Sequence, residues 1–209
     1  MGIDKHLPAH PPQLLVVVSG SSGVGKDAVL NRIKEMQLPF AFVVTATTRE
    51  CREGESEGVP YHFVSVERFR EMIDGGEMLE WAQVYENYYG VPLESVRKSM
   101  STGLDVMVKV DVQGAATIRE AVPDAVLIFI QPPSMQELER RLRKRDSETA
   151  EELAVRLGKA EEEYSQLPLF DYVVTSYPDA IDDVVARIRA IVVAEKSKVH
   201  PRRVQIDPQ

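Results

Sequence analysis

The sequence has one cysteine, Cys51, among its 209 residues. A single thiol cannot form an intramolecular disulfide, and it provides too few thiolates for a zinc or iron–sulfur site. No apolar run approaches the roughly 20 residues that a membrane-spanning helix needs, and the polar, proline-bearing beginning lacks the apolar region of a signal peptide. From these absences we expect a soluble, cytoplasmic protein.

Basic residues are outnumbered: 25 Lys and Arg stand against 33 Asp and Glu, for a formal net charge of -8. This excess of negative charge argues against a general electrostatic affinity for nucleic acid, although a local basic cleft could still hold a small anion. We therefore expect small-molecule ligands, with no nucleic acid or membrane as partner. A monomer and a homodimer both stay open.

What the chain does contain is an alternation of apolar, β-rich runs with helical patterns. Its length and its hydrophobic content of 44% suit one α/β domain with insertions. Continuous apolar runs are typical of strands covered on both faces, so we predict a doubly wound fold with a five-stranded parallel sheet. The expected strands are 14–19, 41–45, 106–110, 126–130 and 172–175, and the expected helices are 26–36, 113–121, 134–144, 149–166 and 179–195.

Two stretches interrupt this alternation. Residues 47–100 contain short strand-like pieces at 61–65 and 78–85 around a polar helix at 67–74, which indicates an inserted lobe. The charged residues 141–158 are predicted to form a lid that closes over the sheet. We therefore predict a flexible N-terminal segment at 1–12, a catalytic unit at 13–196 and a flexible tail at 197–209. The core of the catalytic unit is 13–46 and 101–196.

Residues 20–27 fit the phosphate-loop pattern G-x-x-x-x-G-K-[ST] at every position except the last. Glycines let the backbone turn and present N–H groups to a phosphate, and Lys26 can reach the β and γ oxygens of ATP. A strand-to-helix turn without a ligand is the alternative. The predicted ATP-binding residues are Gly20, Ser21, Ser22, Gly23, Val24, Gly25, Lys26, Asp27 and Ala28.

Asp27 stands where a hydroxyl normally ligates Mg²⁺. Its carboxylate either ligates Mg²⁺, directly or through water, as a hard oxygen ligand, or turns aside and only favours the N-terminus of the helix. We take the metal role as the working hypothesis.

Residues 44–55 resemble the T-T-R-x-x-R-x-G-E segment of guanylate kinases. The resemblance continues in the family's order through residues 58–63, Glu80, residues 87–90 and the strand end at 106–114, and it covers the chain from about residue 14 to residue 195. It implies a P-loop kinase core with an inserted GMP-binding lobe and a helical lid. It also implies phosphoryl transfer from ATP to GMP or dGMP with Mg²⁺ as cofactor.

The residue types of the acceptor segment suit a nucleoside monophosphate. Arg49 and Arg52 are three residues apart, so both guanidinium groups can converge on one phosphate, and Tyr61 and Tyr89 can add hydroxyl donors. The resemblance implies that this group binds the GMP phosphate. A solvated loop for the arginines and ordinary packing for the tyrosines are the alternatives.

Guanine presents N1–H and a 2-amino group as donors, and a fixed carboxylate can accept from both. Adenine has an acceptor at N1 and would leave that carboxylate unpaired. By resemblance that carboxylate is Glu80; the alternative is an outward-facing acid. Thr45 keeps a hydroxyl where the family more often has Ser, whereas Val91 lacks the usual one. Asp111 ends an apolar strand at the edge where open α/β folds bind ligands, so we expect it to face the base or, through water, the Mg²⁺.

Lys109 departs from the family pattern, because many members carry a second acid there. Asp27 adds an acid near the phosphates while Lys109 replaces one. The sequence therefore suggests that Asp27 and Lys109 are neighbours.

The lid segment is rich in arginine. Phosphoryl transfer needs in-line placement and positive charge on the migrating group, which arginines on a closing lid supply. The alternative, a helix face balanced by acids, fits Arg140 and Arg143. For Arg145 and Arg156 the resemblance favours a functional role. The predicted catalytic residues are Lys26, Arg49, Arg145 and Arg156.

Two other functions stay open at this point. A kinase of related fold could act on a phosphorylated sugar, but Glu80, Tyr61 and the paired arginines argue for a guanine nucleotide. A guanylate-kinase-like module could bind phosphopeptides without catalysis; the intact Lys26 opposes this, whereas Asp27 and Val91 keep it possible.

Overall fold

The computed structural model describes residues 12–52, 54–84, 86–143 and 150–206. None of the described helices is long and apolar enough to cross a membrane. The strands are β1 (Leu15–Gly20), β2 (Phe40–Phe42), β3 (Thr45–Thr47), β4 (Tyr61–Phe63), β5 (Met78–Val84), β6 (Asn87–Pro92), β7 (Asp105–Lys109), β8 (Val126–Gln131) and β9 (Tyr172–Thr175). The helices are α1 (Lys26–Glu35), α2 (Val66–Asp74), α3 (Leu93–Met100), α4 (Val112–Ala121), α5 (Met135–Arg143), α6 (Ala150–Ser165) and α7 (Ile181–Lys196), with a short 3₁₀ turn at Leu167–Leu169.

The central sheet has five parallel strands in the order β2-β7-β1-β8-β9. Alternate residues of β1 serve opposite faces: Val16 and Val18 pack in the core under α1 and α7, whereas Leu15 and Val17 pack in the core under α3 and α4. Because both faces are covered, the whole strand is buried, which is why its sequence is continuously apolar. The predicted α/β class and five-stranded parallel sheet are confirmed.

The largest difference from the predicted elements lies at the start of the lobe. The expected strand 41–45 is split between β2 in the central sheet and β3 in a second sheet. Strand β6 and helix α3 were not predicted at all. Strand β6 pairs with β3, which lies far earlier in the chain, and with β5, from which only two residues separate it. It was not predicted because its sequence contains Gly90 and Pro92, which are uncommon in strands.

The inserted lobe is a four-stranded mixed sheet in the order β4-β3-β6-β5, covered by α2. Strand β3 is parallel to β4 and antiparallel to β6. Its small core consists of Ala46, Phe69, Met72 and Met78. Helix α3, although it lies before residue 100, packs through Val96 in the core of the central sheet.

Residues 197–206, part of the tail expected to be flexible, contact other parts of the structure. Arg202 donates to Glu195 at 2.9 Å and to the carbonyl oxygen of Ala125 at 2.9 Å, and Val204 and Ile206 pack against the core. Glu195 is fully buried. Burial alone would raise the pKa of Glu195, but hydrogen bonds, that of Arg202 among them, hold it below its usual range. A buried carboxylate that needs partners therefore fixes this segment.

Replacing Arg202 by methionine is expected to lower the free energy of unfolding by about 2 kcal/mol, because it removes one partner of a buried carboxylate. Denaturant unfolding measures this loss. Arg203→Met is the matched control, since Arg203 is exposed. Equal losses for the two variants would show that the Arg202 ion pair is not what holds the segment.

Candidate active site

The phosphate loop connects β1 to α1 and is packed between β8 and the lid. Gly20 has φ 144°, and a Cβ there would collide with the carbonyl oxygen of Ile130 in β8. Gly23 has φ 86°, and a Cβ there would collide with the Leu142 side chain of α5. Both glycines are thus required by a left-handed backbone and by close neighbours.

Lys26 begins α1 and turns back across the loop. Its Nζ donates to the carbonyl oxygens of Gly20 at 2.6 Å and Ser21 at 3.2 Å. Removal from water lowers the pKa of Lys26 to about 8; the Glu163 carboxylate opposes this shift and Lys109 adds to it. The ammonium therefore sits beside the loop amides, where an anion held by the loop would meet it.

Two residues of α6 reach the phosphate loop at Ser22. Glu163, which is 7% exposed, accepts from the Ser22 N–H at 3.1 Å, and Arg156 donates to the Ser22 hydroxyl at 3.0 Å. The sequence indicated Arg156 but not Glu163. Spacing could have indicated Glu163, because it lies seven residues after Arg156, on the same face of the helix.

Arg141 of α5 joins the lid to both the loop and the core. It donates to the carbonyl oxygens of Val24 at 3.0 Å and Ser176 at 2.7 Å, and to Glu137 at 2.7 Å. No role for Arg141 was predicted from the sequence. The backbone carbonyls that its side chain contacts belong to residues far away in sequence. The spacing of residues within the lid cannot indicate such contacts.

The other lid arginines differ in position. Arg140 and Arg143 pair with Glu137 and Glu139 on an exposed helix face, as the sequence suggested for these two. Arg145 lies outside the described residues.

A cavity of about 330 Å³ lies between the phosphate loop and the inserted lobe. It brings together Ser22 and Lys26 of the loop with residues predicted for the acceptor site. These are Thr45, Tyr61, Glu80, Tyr89 and Asp111, which come from β3, β4, β5, β6 and the end of β7.

Glu80 is an inward-facing acid. It is 6% exposed, and burial, followed by the nearby Asp111, raises the pKa of Glu80 to about 8. A Cβ on Gly114 would lie 2.6 Å from Glu80 Oε2, so the glycine of α4 leaves room for the carboxyl group. Val91, its register partner on β6, is fully buried within the apolar core.

Asp111 has a structural contact in addition to its place in the cavity. Its Oδ1 accepts from the Gly114 N–H at 2.8 Å and so caps the N-terminus of α4. This hydrogen bond fixes the direction of the side chain at the carboxyl edge of the sheet.

Arg49 and Arg52 both attach to the carboxylate of Glu55. The Arg49 guanidinium makes two hydrogen bonds to it, at 2.9 and 3.0 Å, and lies 5.6 Å from the centre of the Tyr61 ring. Arg52 uses its backbone N–H, at 2.9 Å, and is itself exposed. Only the Arg49 contact is made by the guanidinium group; the convergence of both guanidinium groups on one phosphate stays a prediction. A carboxylate and a phosphate accept a guanidinium in the same two-pronged way.

Asp27 and Lys109 are neighbours, as their charges suggested. Lys109 Nζ lies 2.5 Å from Asp27 Oδ1, and Asp27 is otherwise well exposed. Within the described part of the chain, no group of three or more His, Cys, Asp or Glu residues could hold a metal ion. A cation at this site would depend on oxygen ligands from elsewhere, such as nucleotide phosphates and water.

A more voluminous cleft lies elsewhere. It measures about 760 Å³, is lined by α2 and α3 residues such as Arg68 and Arg97, and contains none of the predicted site residues. The smaller cavity is the better candidate, because the phosphate loop and groups with perturbed pKa values meet there.

Comparisons with known proteins agree with this choice. Residues 13–195 match the family model described as guanylate kinase. The chain is 44% identical over 186 residues to the guanylate kinase of Caldanaerobacter subterraneus subsp. tengcongensis, covering 89% of each protein. It is 44% identical over 200 residues to guanylate kinase 2, chloroplastic/mitochondrial, of Oryza sativa subsp. japonica, covering 95% of this chain and 70% of that protein.

A solved structure gives the same result. The crystal structure of guanylate kinase from Anaplasma phagocytophilum is 34% identical in sequence, with a TM-score of 0.71, and the match covers 91% of this chain and 89% of that one.

Proposed function

Because the chain belongs to the guanylate kinase family, we propose that it converts ATP and GMP, or dGMP, into ADP and the corresponding diphosphate. One observation carries the assignment of the site: a single cavity joins Lys26 of the phosphate loop to the buried acid Glu80. A donor phosphate site and a base-recognising carboxyl group thus share one space.

Glu80 selects guanine. Its ionised carboxylate accepts from the guanine N1–H and 2-amino group, whereas adenine would leave the buried carboxylate unpaired at N1. Thr45, Tyr89 and Asp111 line the same cavity and complete the acceptor site. Arg49 and Tyr61 bind the GMP phosphate, with Arg52 approaching from solvent.

The transfer is a direct displacement. A phosphate oxygen of GMP forms a bond to the γ phosphorus of ATP while the bond from that phosphorus to the β–γ bridging oxygen breaks, and the bond electrons leave with ADP. Such a reaction needs placement and positive charge more than covalent help. Lys26, Arg49 and Arg156 supply the charge, and Arg141 holds the loop against the lid. The catalytic role of Arg145 remains a prediction from the resemblance.

Mg²⁺ is the cofactor that this chemistry calls for; bound with ATP, it neutralises charge on the phosphates. Mg²⁺ is usually held by one or two carboxylates plus phosphates and water, and the residues present fit that pattern. Asp27 would hold it directly and Asp111 through water. A carboxylate that accepts from Lys109 still has lone pairs for a cation.

The two rival functions have weaker support. The family match favours a guanine nucleotide over a phosphorylated sugar as acceptor. A phosphopeptide module does not need Lys26 and Arg156 at the phosphate loop. Val91, whose missing hydroxyl kept the module possible, lies in the apolar core.

A coupled assay of ADP release tests the proposal, with GMP, dGMP, AMP and a sugar phosphate as acceptors at varied Mg²⁺. We expect turnover with GMP and dGMP, and a kcat/KM for AMP lower by at least about 10²-fold. A reaction without Mg²⁺ is the control. Absence of GMP-dependent ADP release would reject the function.

A further inference from the structure

Lys109 is the last residue of β7 and contacts two other parts of the molecule. Its Nζ donates to Asp27 Oδ1 of α1 at 2.5 Å and to the Tyr61 hydroxyl of β4 at 3.2 Å. It also lies 5.5 Å from the centre of the Tyr61 ring. One ammonium therefore connects the central sheet, the helix that follows the phosphate loop, and the inserted lobe.

The Lys109 side chain is only 21% exposed, and its ammonium group is paired with the Asp27 carboxylate. Lys26 lines the same cavity. Two ammonium groups beside one cavity repel each other, and an anion between them removes that cost.

An ammonium has three N–H donors, and two of those on Lys109 are directed to Asp27 and Tyr61. We propose that the third donates to the phosphoryl group in transit between ATP and GMP, and that Asp27 is the positioning residue that directs it there. This inference rests on the proposed function and deepens it by adding one phosphate-binding residue.

The position explains why a cation belongs there. Tyr61 is assigned to the acceptor phosphate and Asp27 to the donor side, so the ammonium that contacts both lies at their junction. During transfer, charge spreads over the equatorial oxygens of the migrating group. A fixed cation beside that group stabilises the transition state more than either bound nucleotide.

The main test replaces Lys109 by methionine, which keeps the length of the side chain and removes its charge. We expect kcat to fall about 100-fold while KM for GMP changes less than about threefold. Lys109→Arg keeps the charge and should recover at least about tenfold of that loss. Lys98→Met, an exposed lysine of α3, is the matched control and should leave kcat unchanged.

Asp27→Asn tests the positioning role. Asp27 is 78% exposed, so this variant is expected to fold. We expect kcat to fall about tenfold when Lys109 is present and less than twofold in the Lys109→Met background, because a residue that acts through another has no effect once the other is gone.

Several outcomes would overturn the inference. A kcat of Lys109→Met within threefold of the original protein would remove Lys109 from the transfer step, and a rise in KM alone would limit it to binding GMP. Additive losses in the double variant, or an equal shift in Mg²⁺ dependence in both backgrounds, would make Asp27 a metal ligand only. Absence of GMP-dependent ADP release by the unaltered protein would instead reject the proposed function itself.

Discussion

Replacing Lys26 by methionine is expected to lower kcat/KM for GMP phosphorylation at least about 10³-fold. Lys26 Nζ lies across the phosphate loop, 2.6 Å from the Gly20 carbonyl oxygen, where we propose that it binds the β and γ phosphates of ATP. Removing one preorganised donor to developing charge costs about 10²- to 10³-fold, and Lys26 also contributes the charge that binds the donor. Steady-state ADP release and calorimetric titration with ATP measure the two parts.

The same substitution should not destabilise the fold. The pKa of Lys26 is lowered to about 8, chiefly by burial, so the charged form is disfavoured in the folded protein. Thermal unfolding of Lys26→Met is therefore expected at the original temperature or above it. Lys34→Met is the matched control, because Lys34 lies near the exposed end of the same helix. A kcat/KM within tenfold of the original would contradict the role of Lys26.

Glu80→Gln is expected to lower kcat/KM for GMP by about 10²- to 10³-fold and to reduce the preference for GMP over AMP. The glutamine amide keeps the size of the side chain but turns one acceptor into a donor, which faces the guanine donors unfavourably. Kinetics with both nucleotides measure the change. Glu120→Gln, an exposed acid on α4, should leave both values unchanged.

The pH dependence gives a second signature of Glu80. Its pKa is raised to about 8, so in the free enzyme the group is mostly protonated at pH 7 and mostly ionised at pH 9. Guanine needs the ionised form, and KM for GMP should therefore fall as pH rises through about 8. Lys26 titrates in the same range, but its effect is common to both proteins and cancels in the ratio to Glu80→Gln. A ratio that does not vary with pH would contradict the assignment.

The same shift has a consequence for stability. A carboxyl group whose pKa is raised by folding stabilises the folded state fully only below its unfolded value of about 4.5, and that contribution is lost as pH rises through about 8. Burial of Glu80 thus costs stability at neutral pH, and a bound guanine, which pairs with the carboxylate, offsets that cost.

The central sheet could be predicted because its signal is local. Strands buried on both faces read as continuous apolar runs, and β9 was predicted with its observed bounds, Tyr172–Thr175. Strand β6 could not be predicted in this way, because Gly90 and Pro92 interrupt its apolar residues. The contact between Arg202 and Glu195 was not predicted either, because the polar composition of this segment does not indicate it.

The candidate site likewise contains residues that a local motif identifies and residues that only the folded chain brings together. Glycines and a lysine at fixed spacing identify the phosphate loop, because a tight left-handed turn before a helix allows few other residues. Arg141 of α5 and Glu163 of α6 contact that loop across more than 100 residues of sequence, so only the folded chain brings them there. The perturbed pKa of Glu80 also belongs to the fold, since burial beside Asp111 produces it.

The sequence by itself determined the α/β class, the phosphate loop and the residue types of the acceptor site, because apolar periodicity and motif spacing act over a few residues. Tertiary structure alone decided that Tyr61 joins the Asp27–Lys109 pair, and that Arg49 lies beside the Tyr61 ring while Arg52 is exposed. It also decided that Arg141 of α5 and Glu163 of α6 contact the phosphate loop. The physical reason is distance along the chain: hydrogen bonds, burial and charge pairing between remote residues exist only after the sheet has brought their strands and helices together.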